Sequence, residues 1–251
     1  MSSIRQIAWP RIFAEAVAIV ASILLAFWID AWWEDIAERA LEQEYLSALI
    51  DDFGATRESL ANYIGFSTRV LDSADQILAI AATPDSEPVP DSFSKTLGDA
   101  YGIQRPSPIT STYQDMVNSG NLRLIEDRDL RLAMAELMEL LDEIDFYSNS
   151  IVETYWTHHA PFVDRNFVVS EFGWFIDATG TVGNERAELF GETPEPPFDT
   201  DVSVVRTREF WNLMFGWKTM YADQLSPVIR ARNLCDEILE SLSIEVRGGE
   251  P

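Results

Sequence analysis

"IFAEAVAIVASILLAFWIDAWW", Ile12 to Trp33, is the longest apolar run in the chain, and its 22 residues hold only two ionisable groups, Glu15 near the start and Asp30 near the end. At about 1.5 Å of rise per residue, a helix of that length matches the roughly 30 Å of a bilayer's hydrocarbon core. A cleaved leader is the rival reading. It needs small residues after the apolar core, where this chain instead places Trp28, Trp32 and Trp33. The run is therefore expected to remain as an anchor.

Its flanks set the orientation. Arg5, Arg11 and the amino terminus precede the run and only Arg39 follows closely, which places the amino terminus on the cytoplasmic side. Sixteen of the 18 basic and forty of the 42 acidic residues come after Trp33, so the part beyond the anchor carries the whole net charge of −24. The expected location is the inner membrane of a bacterium, crossed once, with the acidic part in the periplasm or outside. That charge repels nucleic acid and anionic lipid alike, and no basic patch offsets it. A single cysteine, Cys235, excludes an internal disulfide and any multi-cysteine metal site, and reads as a small buried apolar residue.

From Glu34 polarity rises while helical periodicity continues, with no proline until Pro84. Leu46, Leu49, Phe53, Leu60, Tyr63, Val70 and Ile77 keep near-heptad spacing, which predicts a long amphipathic stem packed along one stripe against later helices of the same chain. An intermolecular coiled coil is the alternative. The expected division is a cytoplasmic amino terminus over 1–11, a transmembrane helix over 12–33, a stem helix over 34–82 and an acidic helical domain over 83–251. Gly54 and Gly65 are candidate bends. Ser111 or Thr112 can cap a short helix that stops at Gly120, and Asp127 can open a longer one carrying Leu130, Met134, Leu137, Leu141 and Ile144. Residues 166–204, rich in Gly, Pro and aromatics, read as an irregular loop with room for a short hairpin. A last helix is expected from near Val205 toward Val246, kinked at Pro227. The fold class is all-α.

Two segments carry a resemblance. "AEAVAIVASILLAFWIDAWWEDIAERALEQEYLSALIDDF" resembles the amino-terminal signature of a family of uncharacterised bacterial single-pass membrane proteins, in which a Glu opens an aliphatic span that closes with an acid or amide followed by Trp. "TYQDMVNSGNLRLIEDRDLRLAMAEL" is similar to that family's second recurrent stretch. Ala14 stands where the family pattern has Gly, and there is one extra tryptophan. The resemblance implies the topology and no activity.

Within the run, Ala14, Ala18, Ser22, Ala26 and Asp30 recur every four residues, with Glu15 on the same side, while Phe13, Val17, Val20, Ile23, Leu24, Phe27 and Trp28 take most of the other half. Small residues let helix backbones approach closely. The stripe of Ala14, Ala18, Ser22 and Ala26 is therefore expected to mediate self-association or docking to another membrane protein. Trp9, Trp28, Trp32 and Trp33 read as interfacial belts that leave Asp30 near water. Glu15, one turn after Arg11, can pair with it or meet another helix. An oligomeric conduit lined by Glu15, Ser22 and Asp30 is a third possibility.

No motif discloses a reaction: G-x-S-x-G, the P-loop, G-x-G-x-x-G and H-E-x-x-H do not occur. His158 and His159 are adjacent, about 100° apart on a helix, and Pro161 follows, so they read as the end of a helix facing its dipole rather than as metal ligands. Trp156, Trp174, Trp211 and Trp217 with Tyr155, Phe172, Phe175 and Phe215 offer either a ligand cleft or core. No cofactor and no metal are expected. The favoured reading is a membrane-anchored interaction or scaffold protein, with a ligand sensor or an enzyme as the alternative.

Overall fold

The computed structural model describes residues 9–172, 196–197 and 199–248, and near the start of the chain the side chains of Phe13, Val17 and everything from Ile19 on. Every described element is helical, and there is no strand among the described residues. The first, α1, runs unbroken from Trp9 to Ala81, through both Gly54 and Gly65. Nothing lies within 4 Å of a Cβ built on Gly54, and one built on Gly65 meets only the end of the Arg69 side chain. Neither glycine is therefore required by the close approach of another described part of the chain.

Three long helices make the body: α1, α4 (Arg128–Thr154) and α6 (Arg208–Gly248). Most of their buried positions follow one rule, with Ser73, Leu78, Leu140 and Pro227 buried beside the stripe. On α1 they are Leu46, Leu49, Phe53, Thr56, Leu60, Tyr63, Ser67, Val70, Ala74 and Ile77; on α4 Leu130, Met134, Leu137, Leu141, Ile144, Ser148, Ile151 and Tyr155; on α6 Phe210, Met214, Trp217, Tyr221, Gln224, Val228, Ala231, Cys235, Ile238 and Leu242. Steps of three and four alternate without a slip, and that mean period of about 3.5 residues is the spacing of knobs-into-holes packing. Each large apolar side chain buried this way contributes roughly 1.5–3 kcal/mol. The stem stripe is thus satisfied inside the chain.

Direction is read from side-chain pairs. Lys218 with Asp75 and Arg57 with Asp236 tie α6 antiparallel to α1. Arg230 with Glu136, and Gln224 with Ser148, tie it antiparallel to α4. The surface ion pairs add little energy, but they report the register. At the upper end, Arg206 donates to the Thr83 carbonyl (2.9 Å), the Thr83 hydroxyl (2.9 Å) and the Glu87 carbonyl (2.8 Å), and so staples the entry of α6 to the exit of α1.

The short elements clothe this body. Helix α2 (Phe93–Ala100) packs on upper α1 and α3 (Ser111–Ser119) on lower α1. The chain between them is extended and lies along α1, whose side chains meet its polar groups. The Ser59 hydroxyl accepts from Ser107 N–H, the Thr56 hydroxyl accepts from Ile109 N–H and donates to Ile109 C=O, and the Asp52 carboxylate accepts from Thr112 N–H and the Ser111 hydroxyl. The cap of α3 therefore comes from Asp52 across the structure, whereas Ser111 and Thr112 are the donors it receives. Gly120 ends α3 with φ of 77°, the left-handed value that favours glycine. Asp127 caps α4 by accepting from the N–H groups of Asp129 (2.8 Å) and Leu130 (3.3 Å).

One expectation needs correction. The helix does not end at the histidines: α4 passes through a π-turn, Tyr155–His159, into α5 (Ala160–Asn166), with Pro161 tolerated in the first turn of α5. Helix α6 carries Pro227 in its interior, and its helical assignment continues on both sides of that residue. The expected hairpin within 166–204 falls mostly outside the described residues, as do Trp174 and Phe175; what is described of it is two 3-10 turns, Val169–Phe172 and Val202–Arg206.

Residues 12–33 are helix, yet among the described residues no helix is long and apolar enough to cross a membrane.

Candidate functional site

The first residue of α1 buried in the body is Leu46. Below Glu38 every described side chain of the helix is exposed. Phe13, Val17, Ile19, Val20, Ile23, Leu24, Leu25, Phe27, Trp28, Ile29, Trp32, Trp33 and Ile36 are all exposed, between 40% and 72%. They surround the helix on every side, since consecutive positions 23, 24 and 25, and 27, 28 and 29, are all bare. A soluble monomer seldom leaves an apolar patch beyond a few hundred Å² uncovered. A fully apolar helix surface is a surface for something apolar.

The predicted site residues fall along this segment. Ser22, Ala26 and Asp30 are exposed with the rest, and the Ser22 hydroxyl donates back to the Ile19 carbonyl at 2.9 Å. Trp28 and Trp32 stack nearly parallel, centroids 6.5 Å apart, and Trp33 leans on Trp32 at 5.7 Å. The three indoles thus form one aromatic cuff at the polar end of the run. Trp9, Arg11, Ala14, Glu15 and Ala18 belong to α1 by their backbone, and their side chains, with the expected pairing of Arg11 and Glu15, lie outside what is described.

Above the cuff the neck is charged. Arg39 pairs with Asp35 at 2.7 Å, and Arg123, in the 3-10 turn Asn121–Leu124, reaches Glu38 at 2.6 Å. Where the neck enters the body, burial and the charge of Glu126 hold the Glu42 carboxyl above its ordinary range. Burial, with Glu42 and Asp127 nearby, does the same to Glu245 near the end of α6, against hydrogen bonds from the backbone of Asp127 and Glu126.

Among the described residues the predicted aromatic group divides. Trp156, Trp211 and Phe215 face solvent, whereas Tyr155, Phe172 and Trp217 are core. The core group is a sealed box. Trp217 packs against His159 (4.9 Å between centroids), Tyr221 (5.3 Å), Tyr101 (5.7 Å) and Tyr155 (5.9 Å), and its indole N–H donates to the Ala100 carbonyl at 2.7 Å. His159 Nδ1 lies 3.3 Å from the Tyr101 hydroxyl. His158 is exposed while His159 is 2% exposed, so the two rings diverge. Among the described residues no group of three or more His, Cys, Asp or Glu is arranged to hold a metal ion.

Burial, with His158 next to it, lowers the His159 pKa to about 4. The neutral ring is therefore the folded form, and the unfolded chain binds the extra proton between its own pKa, near 6.5, and 4. Stability from this group is complete above pH 6.5 and is lost as pH falls to 4, by about 3 kcal/mol. Urea titrations of the detergent-solubilised chain at pH 7 and pH 4 should show wild type losing about that much more than His159→Phe. Parallel losses in the two proteins would refute the assignment.

A polar layer that sequence reasoning missed lies where the upper and lower cores meet. The Tyr63 hydroxyl donates to Gln224 Oε1, and Gln224 Nε2 donates to the Ser148 hydroxyl (2.8 Å) and the Ile144 carbonyl (3.3 Å). Its signal was available: Gln224 occupies a core position of the heptad on α6, where a polar residue fixes register. Burial raises the Tyr63 phenol to about 12 and the Cys235 thiol to about 12, so both stay protonated and unreactive. The described residues therefore bring together an uncovered apolar helix, a charged neck and a sealed core. No family model matches the chain, and no curated protein or solved structure matches it.

Proposed function

We propose that this chain is a membrane-anchored, non-enzymatic interaction or scaffold protein. It is held by the helix over 12–33 in the inner membrane of a bacterium, amino terminus inside, and carries its acidic helical body outside. One observation supports this above the others: the described apolar side chains of this segment of α1 are bare on all sides, and burying them in lipid removes from water what no described part of the chain covers. Counted over Ile12–Trp33, including the positions whose side chains are not described, the run has two ionisable groups. Its length of 22 residues gives about 33 Å of helix, enough for a bilayer core. The indole cuff suits the interface, and the resemblance of two segments to bacterial single-pass proteins supports the same topology. Within the membrane, Ala14, Ala18, Ser22 and Ala26 offer the close-approach face for a second copy or another membrane protein.

The test is flotation with phosphatidylethanolamine and phosphatidylglycerol vesicles after alkaline extraction. Wild type should float. Ile23→Arg with Leu24→Arg, each about 2.5–3.5 kcal/mol unfavourable at the centre of a span, should stay in the soluble fraction, and its helix content should be unchanged because neither residue touches the core. A wild-type chain extracted by carbonate would overturn the anchor.

A further inference from the structure

The outer face of α4 carries a feature that the anchor does not use. A groove of about 470 Å³ runs between α4 and α6, lined by Leu132, Ala135 and Leu140 and by the carboxylates of Glu136, Glu139 and Glu143, with Arg230 the one cation among the described residues that line it. Arg230 is already engaged, 3.8 Å from Glu136. Leu132 is 54% exposed, and Phe146, on the same helical stripe, is 67% exposed. Fourteen residues, four turns or about 21 Å, separate these two apolar anchors, and the three glutamates stand between them along the face.

We infer that this face docks a cationic amphipathic helix of a protein partner, with apolar side chains on Leu132 and Phe146 and lysines or arginines against Glu136, Glu139 and Glu143. Charge complementarity selects the occupant. A second copy of the chain brings a net charge of −24 and the same acidic face, so it is repelled, as are nucleic acid and anionic lipid. A bare polycation would satisfy the carboxylates and leave Leu132 and Phe146 in water. A helix with apolar and basic residues on one face satisfies both, in the helix-in-groove manner. The inference extends the interaction reading to the body of the molecule. Its outcome is separable from membrane insertion, because binding is scored on α4 and flotation on α1.

The probe is a fluorescein-labelled 18-residue helical peptide with leucines and lysines on one face. Its anisotropy is followed with the full chain in detergent micelles at about 0.15 M salt, where charges beyond a Debye length of about 8 Å are screened. Saturable binding is expected. Glu139→Lys with Glu143→Lys should weaken it about tenfold, and Leu132→Asn with Phe146→Ser about fivefold, whereas Asp72→Lys with Asp91→Lys, an equal change of charge elsewhere, should leave it within about twofold. All six substituted side chains are exposed, so folding is spared. No binding, equal weakening by the control pair, or indifference to Leu132→Asn with Phe146→Ser would each overturn the proposal, the last by showing a polycation surface only.

Discussion

Trp217→Ala should cost the protein about 3–5 kcal/mol, the most of any single truncation in the body. Trp217 is fully buried at the point where α6 meets the π-turn and α2, and it touches four aromatic rings. Removing the indole leaves a cavity that those rings cannot close, because His159 is held at the Tyr101 hydroxyl and Tyr221 donates to the Gly102 carbonyl at 2.8 Å. It also strands the Ala100 carbonyl, whose partner is the indole N–H. The two losses separate with Trp217→Phe, which keeps most of the packing and loses the hydrogen bond, for about 1–3 kcal/mol. Urea unfolding followed by far-ultraviolet circular dichroism in detergent gives both numbers. A cost below about 1 kcal/mol for Trp217→Ala would mean that the box is not part of the cooperative core.

The second large effect is a single methyl group. Gly98 on α2 lies against the 3-10 turn at Phe172, and a Cβ placed on it would stand 2.1 Å from the Phe172 carbonyl oxygen and 2.6 Å from Phe172 Cβ. Those atoms belong to backbone or adjoin it, so relief requires the turn to move. Phe172 is itself fully buried among Phe167 and its neighbours. Gly98→Ala should therefore destabilise by about 3 kcal/mol. The identical exchange at Gly54, where nothing lies within 4 Å, should stabilise by about 0.5–1 kcal/mol, because alanine costs less backbone entropy in a helix. Opposite signs in the two variants under one set of conditions are the expected result, and the same sign in both would refute the close approach.

These two sites mark what the chain discloses on inspection and what it does not. The stripe of Leu46 to Ile77 was legible because a helix buried along one face repeats its apolar residues at a period set by geometry alone. The cap at Asp127 and the stop at Gly120 were legible because capping is chemistry within a few residues. Gly98 was opaque because its constraint comes from Phe172, and Trp217 was ambiguous because its partners outside its own helix come from two other elements. The π-turn escaped for a related reason. Pro161 reads locally as a stop, but in place the box around His159 and Tyr155 is completed by the helix continuing through a π-turn. Asp52 escaped because it caps α3 across 60 residues. The bare segment was legible in outline, since apolarity is a property of composition, while the groove on α4 was not, because it exists only between two helices.

The absence of any break in α1 between the indole cuff and Leu46 has a mechanical meaning. A helix of this kind is a shaft: residue count alone fixes the azimuth of its lower end relative to its upper end, at about 100° and 1.5 Å per residue. Whatever grips the segment below Trp33 therefore also aims the body above it, including the face that bears Leu132. A rotation or tilt imposed at one end arrives at the other without a hinge to absorb it.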